Sequence, residues 1–195
     1  MISDVEICNQ ALIKLGTKTI ISFDDATNEA RLCNIIYESS RNSVLRAHTW
    51  SFATKIEPLD QLSDNSIINW KYLYTYPSQC LFIVKIYNET DIDTNTYKLL
   101  LSPDTNQKVI ATNLYQAYAE YVKKIIDPNL FDETFIEAFV YKLASEFAMA
   151  IIGQPELQVS YLKQYNYILG EAKRVNSQEK NIKVINKARY VTVRG

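Results

Sequence analysis

A chain of 195 residues with 47% hydrophobic and 22% charged side chains is too apolar to remain disordered, and it is long enough to bury roughly 70% of its unfolded surface, as one domain with an insertion or as two small ones. The net charge of −1 hides an uneven distribution: residues 1–179 hold all 22 acidic side chains against 16 basic ones, net −6, whereas residues 180–195 hold Lys180, Lys183, Lys187, Arg189 and Arg194 and no acid, net +5. No apolar run approaches the ~20 residues that span a bilayer, and Met-Ile-Ser-Asp-Val-Glu lacks the basic and apolar regions of a signal peptide, so the expectation is a protein made in a cytoplasm with no membrane partner.

The elements follow from the spacing of apolar residues. Ser3-x-x-Glu6 is a capping box, Ile2 and Ile7 are placed as a hydrophobic staple, and Val5, Cys8, Ala11, Leu12 and Leu15 continue one face until Gly16, which predicts a first helix over 3–15. A short extended link leads to the stretch around which the chain is organised, a helical pattern from residue 24 delivered into His48-Thr-Trp-Ser-Phe-Ala53. Asp24 or Asp25 is expected as its N-cap. Ala30, Cys33, Tyr37, Ser40 and Val44 form one stripe and Leu32, Ile35, Ile36 and Leu45 a second, so the helix is expected to be covered on two sides. Trp50 and Phe52 sit a strand period apart and are read as the hinge between two subdomains.

From Trp50 to about Ile126 the period is two: Trp50/Phe52, Trp70/Tyr72/Tyr74/Tyr76, 80–87, Tyr97/Leu99/Leu101, 108–111 and 114–122, with turn residues between them at 62–66, 77–78, 88–95 and 102–106. One antiparallel sheet of five or six strands is predicted. Helical period returns at Asp132, an expected N-cap, and runs through Phe135, Phe139, Leu143, Phe147 and Ile151 until Gly153 and Pro155. Pro155 suits the first turn of a last helix carrying Leu157, Tyr161, Tyr165, Leu169 and Ala172. The fold class predicted is therefore α+β, an up-and-down four-helix bundle from 1–49 and 127–179 with a β subdomain, 50–126, inserted between helices two and three. Residues 180–195 follow as an extended basic arm in which Tyr190 to Val193 alternates like a short strand.

Catalytic and metal machinery is not visible in this pattern. His48 is the single histidine and no Gly-x-Ser-x-Gly accompanies any serine, so a nucleophilic triad has no setting, and a structural or surface role is expected for it. Cys8, Cys33 and Cys80 are odd in number and widely spaced among apolar residues, which points to buried thiols instead of a disulfide or zinc site. Asp91-x-Asp93-x-Asn95 copies the start of a calcium loop, but Thr96 and Ser102 stand where Gly and Glu are required, so a solvated turn is expected. Four glycines leave no phosphate-cradling loop. No cofactor and no enzymatic activity are expected. The arm could be a solvated tail, a footprint for phosphates, or a partner-docking segment in which Lys180, Lys183, Lys187 and Arg189 meet an acidic surface while Tyr190, Val191 and Val193 add a strand to a sheet edge.

Several ordered strings carry a resemblance. Ala11-Leu-x-x-Leu-Gly16, Ser22-Phe-Asp-Asp-Ala-x-Asn-Glu-Ala-Arg-Leu-Cys33, Tyr37-x-x-x-Arg41, Val44-Leu-Arg-Ala-x-x-Trp50-x-Phe-Ala53, Tyr74-x-Tyr-Pro77, Cys80-Leu and Asp127-Pro-x-x-Phe-Asp-x-x-Phe135-x-x-Ala138 with Leu143-Ala144 resemble the tail tubular protein A family of short-tailed bacteriophages, over residues 4–179. The resemblance implies a four-helix bundle with a β insertion. It further implies a dodecameric ring beneath the portal protein, joined below to the tail nozzle or tube, with DNA passing through the lumen without specific binding. The implied location is the virion tail, after synthesis in the host bacterial cytoplasm. Alternatives from other classes are a nucleic-acid-binding module using the basic tail and a tail-associated glycan hydrolase using a carboxylate pair. An acidic body is consistent with a conduit, because each phosphate that a wall neutralises adds a holding term.

Overall fold

The computed structural model describes residues 1–63, 69–90, 96–102 and 105–180. Among them the chain runs through two helices, six strands and two further helices, a mixed α+β fold. No helix among the described residues is long and apolar enough to cross a membrane.

Helix α1 spans Asp4–Lys14. Its capping box forms as the sequence predicts, with the Glu6 N–H donating to Ser3 Oγ at 3.2 Å and the Ser3 N–H donating to the Glu6 carboxylate at 2.7 Å. Helix α2 spans Asn28–Arg46, later in its start and earlier in its end than the apolar pattern implies. The N-cap is Thr27, whose hydroxyl accepts from the Ala30 N–H at 3.2 Å, and not Asp24 or Asp25. Asp25 is engaged elsewhere: its carboxylate accepts from the Ile21 N–H and closes the preceding loop. That loop is clasped to α1 by Asn9, whose side chain both donates to and accepts from the Ile20 backbone. Cover on the second side of α2 is partial: Leu45 is fully buried and Leu32 and Ile36 pack against the core, but Ile35 is 66% exposed.

After α2 the chain does not enter a strand at Trp50. Residues Ser51–Ala53 form a single 3-10 turn, because Thr54 Oγ1 and the Ala53 N–H both return to the Trp50 carbonyl, and strand β1 begins only at Thr54–Pro58. Strands β2 (Tyr72–Thr75), β3 (Cys80–Tyr87), β4 (Tyr97–Leu101), β5 (Lys108–Thr112) and β6 (Tyr118–Lys123) follow. They form two sheets, in the orders β1-β6-β3 and β2-β5-β4, all antiparallel, where the sequence led us to expect one. The split is physical: a period of two reveals strands but not which strand pairs with which.

The two sheets pack face to face through Tyr74, Ile110, Ile83, Ile86, Ala119 and Tyr121. Strand β6 alternates, sending Ala119 and Tyr121 between the sheets and Val122 toward the helices. In β3 the inward residues Ile83 and Ile86 are three apart, a spacing that strict alternation forbids. A register shift between Ile83 and Lys85 restores it, an extra residue that turns Ile86 back to the inner face.

Helix α3 spans Glu133–Phe147 and α4 spans Pro155–Lys180. Their connection includes a π-helical turn, Ala148–Ile152, closed by Gly153 at φ +71° with its N–H donating to the Ala148 carbonyl at 3.0 Å. Helix α3 contacts each of the other three helices, and Phe135, Ala138, Phe139, Leu143 and Phe147 along it have no exposed surface. Helix α4 includes Lys180, the first residue of the expected arm. Residues 181–195, and with them Lys183, Lys187, Arg189, Tyr190, Val191 and Val193, lie outside the described residues, as does the acidic segment 91–95.

Candidate functional site

Trp50 and Phe52 stand where the helices and the first sheet meet. The Trp50 indole N–H donates to the Val44 carbonyl at 3.1 Å, which fixes the ring against the last turn of α2. Its face is capped edge-on by Phe135 at 5.1 Å, and Phe52 lies 6.0 Å away, itself edge-on to Phe135. His48 meets Trp50 edge-on at 5.1 Å, at the rim of this aromatic cluster. Both residues read as a hinge thus belong to the core that α3 organises.

Several buried or half-buried groups elsewhere pair with one another. Cys8 and Cys33 face one another across α1 and α2, both free thiols without exposed surface, and the hydrogen bond between them followed by burial pushes Cys8 far above an ordinary thiol. Tyr37 donates to Asp4 at 2.7 Å, and burial first, then that bond, raises its phenol. In the β region Tyr121 donates to Glu57 at 2.7 Å, and Lys55 then Tyr121 hold that carboxyl below the usual range. Among the described residues, no group of three or more His, Cys, Asp or Glu side chains is arranged to hold a metal ion.

Two of the surface clefts among the described residues lie at the ends of these elements. One, of about 450 Å³, lies at the end of the two sheets between Leu59, Asn88, Thr90, Tyr115 and Gln116, with Glu89 as the carboxylate among its described lining residues. The other, of about 380 Å³, lies between the N-terminus of α3 and the last turns of α4, and carries Asp132, Glu133 and Glu179. Asp132 occupies the N-cap position expected for it, yet makes no side-chain bond to the helix it begins. Burial, and then the charge of Glu179, raise its carboxyl above the usual range. Asn176 anchors the floor of that cleft by donating to Ser51 Oγ at 3.0 Å. Sequence reading missed this second site because Asp132 is distant in the chain from Asn176 and Glu179. The signal available was an acidic residue four positions from the end of the last helical stripe.

Elsewhere on the surface some apolar side chains remain substantially exposed, among them Ile35 on α2, Val159 and Leu162 one turn apart on α4, and Leu101 at the end of the outer strand β4. Taken with the element order, the class defined is a mixed α+β protein of four helices and two small antiparallel three-stranded sheets. No protein-family model matches this chain, and a search of curated proteins gives no match.

Proposed function

We propose that this protein is the head-to-tail adaptor of a short-tailed bacteriophage, of the tail tubular protein A kind. It is a ring subunit, twelve copies in register with the portal, that joins the portal to the tail nozzle or tube and lines part of the channel through which DNA leaves. The finer architecture belongs to the same proposal: a four-helix bundle from 1–49 and 127–179, with the β subdomain 50–126 inserted between α2 and α3 and the basic segment 180–195 as its docking arm. The observation that carries it is the element order, two helices, six antiparallel strands and two helices, with α3 in contact with each other helix. The motif strings that resemble the family lie partly on these elements and partly on the loops that lead into them, such as 22–27 before α2 and 127–132 before α3.

Exposed apolar residues support ring formation. A closed ring needs two different lateral surfaces per subunit, and Ile35 on α2 and Val159 with Leu162 on α4 offer apolar patches on separate helices. Individually weak lateral contacts become stable when a portal holds many copies at high effective concentration. Charge supports a conduit, since a body at net −6 does not grip phosphates. Co-sedimentation with the cognate portal at modest salt tests the proposal: capture supports it, and a failure to bind counts against it.

A further inference from the structure

Between α1 and α3 runs a groove made of two adjoining clefts, of about 420 and 270 Å³, that share Ile2 and Gln10. Its apolar walls are Ile2, Ile136 and Val140, and Ile13, 63% exposed, stands on its rim. Glu6, Glu133 and Glu137 line it against one cation, Lys14, whose ammonium lies over the Tyr141 ring at 4.2 Å. A second surface is the outer side of α4. Val159, Lys163 and Tyr167 lie across that helix from the buried Tyr165, Leu169 and Ala172, and Leu162 flanks them. Val159 and Tyr167 are 50% and 70% exposed. Between Glu156 and Glu171 the helix carries Lys163 and no acid.

We propose that the groove between α1 and α3 receives the outer side of α4 from a second copy of this chain. The two surfaces match in chemistry, since an apolar floor with an acidic rim suits an apolar helix side whose one charge is a lysine. They also match in length: α1 has 11 residues, about 16 Å, and Val159 to Gly170 covers the same three turns of α4. Other pairings of α4 fit less well. Against α4 of another copy, Lys163 would meet its own like charge and no acid. Against α2, Ile35 has Arg31 one turn away, and Glu38 on its other side is already paired with Lys124. The groove and the outer side of α4 share no residue, so one copy can receive a neighbour and enter another at once. Such a heterologous contact propagates head to tail, and it closes into a ring when its rotation divides a full turn. The inference rests on the ring reading above and names the surfaces that pair.

Photocrosslinking of the full chain at about millimolar concentration tests it, since a weak contact is populated there without a portal. p-Benzoylphenylalanine replaces Leu162 in an unlabelled copy, which is mixed with 15N-labelled native chain, irradiated and mapped by mass spectrometry. A probe at Val159 gives a second reading, and one at Tyr115, exposed in the β region, gives the background. Circular dichroism checks that each probe-bearing chain folds. Expected is capture of labelled peptides holding Ile13 or Ile136 by the α4 probes, several-fold above the Tyr115 background. Glu133→Lys with Glu137→Lys in the labelled copy should lower that capture several-fold, and Lys163→Glu in the probe copy should restore part of it. Three outcomes overturn the proposal: links to labelled α4, which would pair that helix with itself; links to the segment around Ile35, which would make α2 the receiving surface; and capture at background everywhere. Failure here with portal capture intact rejects this pairing alone, whereas groove links without portal capture reject the adaptor reading and leave the contact between copies standing.

Discussion

The indole of Trp50 meets the ring of Phe135 edge to face, with centroids 5.1 Å apart and planes at 84°, so a residue just beyond α2 is locked to the first turn of α3 across 84 residues of intervening chain. Both side chains are fully buried. Replacing Trp50 with Ala removes this contact, the stacking on Phe52 and the bond to Val44, and should cost about 3–5 kcal/mol in denaturant unfolding. Trp50→Phe keeps a ring but leaves the Val44 carbonyl short of a donor, and should cost less. A loss for the Ala variant below ~1 kcal/mol would contradict the placement of Trp50 in the core.

Tyr37 gives a prediction in pH. Burial, then its bond to Asp4, hold the phenol above its ordinary value of 10.0. In the unfolded chain the same group ionises at the ordinary value, so above that pH the folded state binds more protons than the unfolded one. Its contribution is therefore complete below pH 10 and is lost as pH rises beyond it. Tyr37→Phe should cost about 1–2 kcal/mol at neutral pH, from the lost bond to a carboxylate. The gap in stability between native and variant protein should then shrink through the alkaline range, and a constant gap would contradict the assignment.

Two glycines should respond with opposite signs. Gly153 ends the turn after α3 at φ +71°, and a Cβ there meets nothing within 4 Å, so any penalty is conformational and not steric. Gly153→Ala should destabilise by about 1 kcal/mol and Gly153→Asn by less, since Asn tolerates the left-handed region. Gly170 lies inside α4 in helical conformation, again with open space around a Cβ, so Gly170→Ala should stabilise by about 0.5–1 kcal/mol. Thermal melts of the two variants check the pair, and equal signs would contradict it.

Much of the fold was legible where local chemistry decides it. Ser3 and Glu6 announce α1 because a capping box satisfies its donors locally, and Gly153 with Pro155 announces the break between α3 and α4. The start of α2 was not, because Asp24, Asp25 and Thr27 are all competent caps and the choice fell to Asp25 being drawn to the Ile21 N–H. Pairing was not legible either. Ile83 and Ile86 break the alternation of β3, and only the register against β6 explains why both are inward. The acidic cleft escaped for the same reason, since Asp132 and Asn176 meet only through the packing of α3 on α4.

Deleting residues 181–195 should leave the far-ultraviolet circular dichroism spectrum and melting temperature close to those of the full chain, because both hydrophobic cores are formed by residues that precede them. Assembly onto the portal should be lost in the same variant. Assembly equal to that of the full chain would reduce the segment to a solvated tail.

The adaptor proposal meets its most direct test in negative-stain images of the purified protein with and without its cognate portal. The account predicts a ring of twelve copies seated coaxially on the portal with an open central channel. Portal particles unchanged in outline after incubation with excess protein would contradict it.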